Sequence, residues 1–412
     1  MDFDDTPEEA QFRSEVRRWL EQHVEPRPSG AELQADPDAA VARARRFLAA
    51  KASKGYSAIT WPKEYGGFGG TEIQKVIFLQ EQGRFDIDTL HGSDFFAVGI
   101  DLCGGTILRC GNDEQKERFI APLLRGDKIW CQLFSEPACG SDLAAVRTKA
   151  VRDGDDWLIT GQKVWTTGGH FSDIGLCLTR TDPTVPKHQG LTMFAIDMHQ
   201  PGVDVQPIRQ MGGEAEFNQV FLDNVRVPDR DRIGPVDGGW KVALTTLGQE
   251  RQTAGGLAFL EWETLLDLAQ STEKDGKPAI EDGRVRERLA ECWLNTFGMR
   301  LMGYRSQTAL GRGMVPGPEE SMAKLIITGQ GQRSAIAAMD IVGPTGILSP
   351  ESLDTEQWHA VVHSFFWAPA FRIAGGADEI LRNILAERVL GLPADLRVDR
   401  DIPFNQLTAQ IG

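Results

Sequence analysis

The chain has 412 residues, 41% of them hydrophobic and 25% charged, the composition of a globular protein rather than a disordered one. At roughly 150 residues per domain this length predicts two or three domains with cores that need no covalent staples. Its 44 Lys plus Arg stand against 59 Asp plus Glu, and the net charge of −15 excludes a general nucleic-acid or anionic-membrane surface while allowing a local basic pocket for a phosphorylated ligand.

No run approaches ~18 consecutive apolar residues, so no membrane span is expected. The acidic start MDFDDTPEEAQF lacks the basic-then-apolar pattern of a secretory signal. The six cysteines, Cys103, Cys110, Cys131, Cys139, Cys177 and Cys292, form no CxxC pair and have no histidine at metal spacing. They read as reduced thiols of a cytoplasmic protein, with no metal site.

In chain order, Thr6 is an N-cap candidate followed by Pro7, Glu8 and Glu9, residues that suit a first helical turn. Phe12, Val16, Leu20 and Val24 then recur every four residues on one face. Pro26 to Asp38 reads as a loop and Ala39 to Ser53 as a helix. Trp61 to Gly70, rich in glycine, reads as irregular. Helical patterns return at Glu72 to Gln82 and Asp113 to Leu124.

Near residue 131 the period shortens. Asp156 to Thr167 reads as two short strands turning at Gly161, and Ile174 to Arg180, Leu191 to Ile196 and Asn218 to Val227 as further strands. After Gly238 and Gly239 the helical period resumes at Trp240 to Gln270, Arg284 to Ala309, Pro318 to Met339 and Asp378 to Leu390, which suits a bundle. The expected class is α+β: an N-terminal α-helical domain (1–130), a middle β-barrel or sandwich domain (131–236), a C-terminal four-helix bundle (237–395) and a tail (396–412).

Two features carry chemistry. Glu250 falls on the apolar stripe of Ala243, Leu247, Ala254 and Leu257. A carboxylate there is either a general base whose pKa burial raises or one partner of a salt bridge to a neighbouring helix. Arg251 follows it and must face elsewhere. Gly255 and Gly256 together cost roughly 2 kcal/mol in a helix interior, so they mark a bend or a close approach. Ser135 to Asp142, small and hydroxyl-bearing, is a turn or a loop offering N–H groups to a ligand.

Six stretches together resemble the acyl-CoA dehydrogenase family: Trp61 to Gly67, Phe134 to Leu143, Gly161 to Thr167, Phe221 to Pro228, Gly343 to Gly346, and Ile373 to Asn383. They follow the family's order over most of the chain. The resemblance implies a helical, β, helical architecture with FAD between the β domain and the C-terminal bundle. It implies that Phe134 and Ser135 contact the flavin ring and that Ser141 lies where flavin and thioester meet. Trp165 and Thr167 then pack on the other flavin face, Trp165 being otherwise a core aromatic. Asp340, Gly343, Ala377 and Glu379 occupy positions of further FAD contacts.

In many members the base is a glutamate in the loop before the last helix, a position held here by Gly375. A second subgroup, acting on branched or steroid acyl groups, carries it on the first C-terminal helix before an arginine, as in Glu250-Arg251. The resemblance therefore implies that Glu250 takes the α-proton and that the Gly375 N–H faces the thioester oxygen. Arg251 then positions the acyl-CoA or, alternatively, pairs with a partner helix. The departures concern FAD contacts across subunits: the family's Arg-x-x-Phe-Gly segment is not visible around Gly276 to Arg286, Ala377 replaces a common threonine, and Asp340 replaces a common glutamine.

The expected activity is FAD-dependent conversion of an acyl-CoA to a trans-2-enoyl-CoA in fatty acid β-oxidation or steroid catabolism. Electron-transfer flavoprotein is the expected acceptor. The expected assembly is a homotetramer or homodimer, or a heterotetramer with a second family member in which this chain carries the base. A flavin oxidase or monooxygenase on the same fold, and a non-catalytic subunit, are the competing readings.

Overall fold

The first helix, α1 (Pro7–His23), is set at its start. The Thr6 hydroxyl accepts from the Glu9 amide, the Glu9 carboxylate accepts from the Thr6 amide, and Pro7 opens the helix. Its expected face is buried: Phe12, Val16, Trp19 and Leu20 pack with Tyr56, Ile59, Ile77 and Phe78. The computed structural model describes residues 5–24, 37–85, 94–253, 260, 262–311, 321–348, 356–397 and 399–407, and the side chains of Glu250 to Thr253 lie outside that description. The expected loop Pro26 to Asp38 falls almost wholly outside it, as does the Gly255-Gly256 pair.

Helices α2 (Pro37–Ser53) and α3 (Glu72–Gln82) follow. The glycine-rich stretch between them is irregular apart from one 3₁₀ turn at Lys63–Tyr65. The sequence reading has no helix between Gln82 and Asp113, yet Asp94–Ala97, a π-helical Val98–Gly104 and Gly105–Cys110 run on as α4. Helix α5 (Asp113–Arg125) then carries its own Asn112–Gln115 capping box.

Eight strands form one sheet: β1 (Trp130–Leu133), β2 (Lys149–Asp153), β3 (Asp156–Thr167), β4 (Ile174–Arg180), β5 (Leu191–Asp197), β6 (Val203–Ile208), β7 (Phe217–Pro228) and β8 (Arg232–Ile233). The order is β6-β7-β3-β2-β4-β5-β8, with β1 parallel to β4. Strands β4 and β5 are buried along almost their whole length because both faces are covered. Leu176, Leu178, Leu191 and Met193 join a cluster with Ile120, Leu123 and Trp130, while Cys177, Phe194 and Ile196 join one with Trp157, Val220 and Val225.

One expectation is corrected here. Asp156 to Thr167 is a single strand, and Gly161 is not a turn. A Cβ at Gly161 would stand 2.6 Å from Thr148 Cα and 2.7 Å from Thr148 Cβ. The glycine admits the neighbouring chain, and a register shift against β7 accompanies it.

Beyond the sheet, the expected helix Trp240 to Gln270 is two helices, α6 (Gly239–Thr253) and α7 (Trp262–Ser271), with Leu260 non-helical between them. A short hairpin, β9 (Glu273–Lys274) and β10 (Lys277–Pro278), precedes α8 (Gly283–Gly311), α9 (Ser321–Val342), α10 (Glu356–Phe371) and α11 (Asp378–Ile384). Helix α10 has no counterpart in the sequence reading. Its apolar run and Pro369 leave no polar face from which to read a period. Chain contacts divide the molecule into two compact units. Phe3–Gln210, Glu214–Glu250 and Leu396–Gly412 form a sheet-bearing unit, and Arg251–Asp395 with Met211–Gly213 belongs to a helical one. In the helical unit Leu265, Leu268, Leu289, Cys292, Ala338, Ile341 and Val361 make the core.

Candidate functional site

In the sheet-bearing unit the loop leaving β1 carries Phe134, Ser135 and Ser141. Glu136 and Cys139 exchange both backbone hydrogen bonds, at 2.9 and 3.0 Å, around Pro137 and Ala138. The Phe134 ring is 5% exposed and belongs to the core, whereas Ser135 is half-buried and Ser141 exposed. The loop is tied to β3 by the Val164 amide, which donates to the Ser135 carbonyl at 2.9 Å.

Beneath the loop lies a buried ion pair to which the sequence reading gives no role. Lys163 on β3 is 0% exposed, and its Nζ donates to Glu136 Oε1 (2.9 Å), the Phe134 carbonyl (3.1 Å) and the Leu178 carbonyl (2.7 Å). The Glu136 carboxylate also accepts from the Arg147 amide at 2.7 Å and the Thr148 amide at 2.9 Å. Burial alone would raise the Glu136 pKa. The Lys163 charge and these hydrogen bonds outweigh it and hold the carboxyl below its ordinary value. The signal was present in the alternation, since Lys163 shares the parity of the buried Trp157 and Ile159.

Two residues on, β3 slips register against β7 between Lys163 and Thr166, and Trp165 takes φ +61°. A bulky residue in the left-handed region costs about 1–3 kcal/mol, so surrounding structure must hold it there. The ring is not a core aromatic, for Trp165 is 58% exposed and meets Phe217 edge-on at 5.9 Å. Buried Asn218 secures the bulge, its Nδ2 donating to the Thr166 carbonyl at 2.9 Å. His170 Nδ1 lies 2.9 Å from Asn218 Oδ1, an acceptor, which assigns the ring proton to Nδ1; burial lowers the His170 pKa. Among the described residues the buried Thr166 hydroxyl finds no partner. Thr167 is half-buried at the end of β3.

Helix α6 buries Val242, Ala243 and Thr246, and the Thr246 hydroxyl meets that of Thr106 at 2.8 Å. Of the expected stripe, Ala243 is buried and Leu247 half-buried, and Glu250 lies on the same helix. Ala254 and Leu257, the rest of that stripe, lie outside the described residues, as do the side chains of Glu250 and Arg251.

In the helical unit, Gly375 (φ +65°) and Gly376 (φ +94°) form a left-handed turn before α11. Arg372 and Asp378 brace it: Arg372 Nη2 is 2.6 Å from Asp378 Oδ2, and the Asp378 amide donates to the Arg372 carbonyl at 3.1 Å. Buried Lys324 on α9 donates to the Gly376 carbonyl at 2.8 Å. None of these three braces was foreseen. Ala377 is the N-cap of α11 and supplies no side-chain cap. Asp340 and Glu379 are exposed, and Gly343 (φ +60°) ends α9. Within each unit the expected residues therefore cluster: Phe134, Ser135 and Trp165 around Lys163, and Gly375, Ala377 and Glu379 on one turn.

Models of the acyl-CoA dehydrogenase N-terminal, middle and C-terminal domains match residues 6–127, 131–225 and 237–390. Acyl-CoA dehydrogenase IpdE1 of Mycobacterium tuberculosis is 34% identical over 394 residues, covering 94% of this chain and 98% of that protein. The ChsE4-ChsE5 complex from Mycobacterium tuberculosis superposes with a TM-score of 0.78 at 26% identity, covering 96% of this chain and 100% of that one. The Tcur3481-Tcur3483 steroid ACAD does so with a TM-score of 0.79, also at 26% identity and with the same coverage. Similarity that spans all three domains in order, on a helical, sheet and helical chain, places this protein in the acyl-CoA dehydrogenase family.

Proposed function

We propose that this acyl-CoA dehydrogenase binds FAD and oxidises a bulky acyl-CoA thioester to the trans-2-enoyl-CoA, with Glu250 as the base. The supporting observation is the backbone at Gly375. Its φ of +65° belongs to a glycine turn, and a glutamate there would be strained, so the base is sought elsewhere. Glu250 stands one turn beyond the buried Thr246 along α6, and a desolvated carboxylate is basic enough to take a weakly acidic proton.

The residues present fit a flavin. The exposed Trp165 ring, held at a strained bulge, and the unpartnered Thr166 hydroxyl suit a planar, hydrogen-bonding group. Backbone and hydroxyl groups of Phe134, Ser135, Ser141 and Thr167 hold it on the sheet side, Phe134 acting through its main chain because its ring is in the core. Asp340, Gly343, Ala377 and Glu379 supply the remaining contacts. FAD, when bound, accepts the hydride that leaves the β-carbon. The Glu250 carboxylate takes the α-proton, the Gly375 N–H stabilises charge on the thioester oxygen, and Arg251 orients the acyl-CoA.

The paired-chain names of the structural relatives support a second family member as partner, with this chain carrying the base; a homotetramer or homodimer is the alternative assembly. The steroid relative supports a bulky acyl group, and electron-transfer flavoprotein is the proposed acceptor. No helix among the described residues is long and apolar enough to cross a membrane. The six cysteines are free thiols, which suits the cytoplasm.

The test is the visible spectrum and flavin content of the purified chain, then anaerobic titration with straight, branched and steroid acyl-CoAs. Bleaching of the flavin by an acyl-CoA without oxygen is expected. A flavin that no acyl-CoA reduces would overturn the reading in favour of an oxidase, and a colourless chain restored only by a second chain would establish the mixed assembly.

A further inference from the structure

The Lys163–Glu136 pair is not explained by stability. A buried ion pair is often no better than apolar residues of the same volume, because both charges lose their hydration. What sets this pair apart is how many segments it joins. Lys163 gives three hydrogen bonds to two segments, the Phe134–Ser141 loop at the Phe134 carbonyl and the Glu136 carboxylate, and β4 at the Leu178 carbonyl. Glu136 holds the leaving arm through the Arg147 and Thr148 amides. The next residue, Val164, donates to the Ser135 carbonyl, and the one after is Trp165 in its left-handed bulge. Both arms of the loop and the start of the bulge thus converge on the Lys163–Glu136 pair.

We propose that Lys163, with Glu136, is a positioning residue that fixes the distance between the Ser135–Ser141 loop and Trp165. It touches neither flavin nor substrate. It acts through the Phe134 carbonyl on one side and through the rigid start of the bulge on the other. The inference rests on the reading of those two elements as the walls of the flavin site. It predicts that removing the pair loosens the walls while leaving the fold intact, since a neutral pair of similar volume restores packing without restoring the three-way junction.

The experiment uses the full chain carrying 5-fluorotryptophan, with the Trp165 ¹⁹F resonance assigned by Trp165→Phe. It compares wild type, Lys163→Met and the charge-balanced Lys163→Met/Glu136→Gln, before and after FAD is added. The double variant is expected to melt close to wild type, with the Trp165 resonance shifted or broadened even before FAD is added. With FAD, its visible spectrum should lose fine structure, and kcat should fall at least tenfold while the KM for acyl-CoA changes less than threefold. Should the single variant fail to fold, the double carries the test; should both fail, the pair is a folding element and the proposal is wrong. A folded double variant with the wild-type Trp165 resonance overturns it as well. If no form binds FAD even with a second family member present, the flavin reading fails, while the resonance before FAD still decides whether Lys163 sets the spacing.

Discussion

Replacing Gly161 by alanine separates two descriptions of the same residue. In an open strand Gly→Ala would be neutral or stabilising by about 0.4–1 kcal/mol, because it restricts the unfolded chain. In this structure the new Cβ would stand 2.6 Å from Thr148 Cα and 2.7 Å from Thr148 Cβ, closer still to Thr148 Oγ1. Two of those atoms are backbone or directly bound to it, so no side-chain rotation relieves the clash and β2 must move away from β3. Overpacking of this kind costs about 1–3 kcal/mol. For a unit of this size that is about 2–4 °C in Tm for each kcal/mol. The displacement also reaches the loop, since the Thr148 amide is one of the donors to Glu136. Gly140→Ala is the control, because nothing stands within 4 Å of its Cβ position. Thermal melts and flavin content of both variants are the assay. If Gly161→Ala melts with or above wild type while Gly140→Ala does the same, the close approach is not tight and the reasoning fails.

Glu250→Gln should abolish flavin reduction by acyl-CoA while leaving flavin bound; a rate within about tenfold of wild type, ~1.4 kcal/mol, would remove Glu250 as the base. Gly375→Ala places a side chain at φ +65° and should cost about 1–2 kcal/mol of stability, together with lost turnover; an unchanged melting curve would show that the turn relaxes freely. Glu136 has its pKa lowered, so its contribution to stability is complete above the unfolded value of about 4.3 and is lost as pH falls through the lower folded value. Acid unfolding of Glu136→Gln should therefore be less steep than that of wild type below about pH 4.3, and parallel curves would contradict the assignment. His170 has the opposite chemistry but the same sign. Its pKa is lowered by burial, so stability should fall as pH drops below about 6.5, and His170→Gln should flatten that limb.

What was legible in the sequence depended on whether a feature is local. Helix α1 could be read because its cap, its proline and its four-residue period all lie within the helix. Strands β4 and β5 could be read because burial on both faces leaves a mostly apolar run, Ile174–Leu178 in β4 and Met193–Ile196 in β5. Strand β2 could not, since only Ala150 is buried along it, and β6 has no fully buried residue at all. Gly161 was misread because a glycine in a strand pattern serves equally for a turn or for a close approach, and the atoms that decide belong to Thr148, just before β2. Lys163 is the instructive case. Its parity with Trp157 and Ile159 marks it as buried, but its acceptors lie at Phe134 and Glu136 on one side and at Leu178 on the other, far from it in the chain.

The same distinction bears on the proposed base. A carboxylate on a loop takes its position from the loop, and at Gly375 the loop is a left-handed turn braced by Arg372, Asp378 and Lys324. Those contacts fix the backbone around the turn and so suit it to presenting an N–H group, which needs no Cβ. A carboxylate on α6 takes its position from the helix, whose buried face at Ala243 and Thr246 is already locked against α4 through Thr106. Glutamate is a good helix former and is costly at positive φ, so each position carries the group its backbone tolerates. Moving the glutamate back, as Glu250→Gln with Gly375→Glu, should therefore not restore activity: the strained turn, rather than the absence of a carboxylate, is the obstacle. Substantial recovery of flavin reduction in that double variant would show that backbone strain does not decide where the base sits.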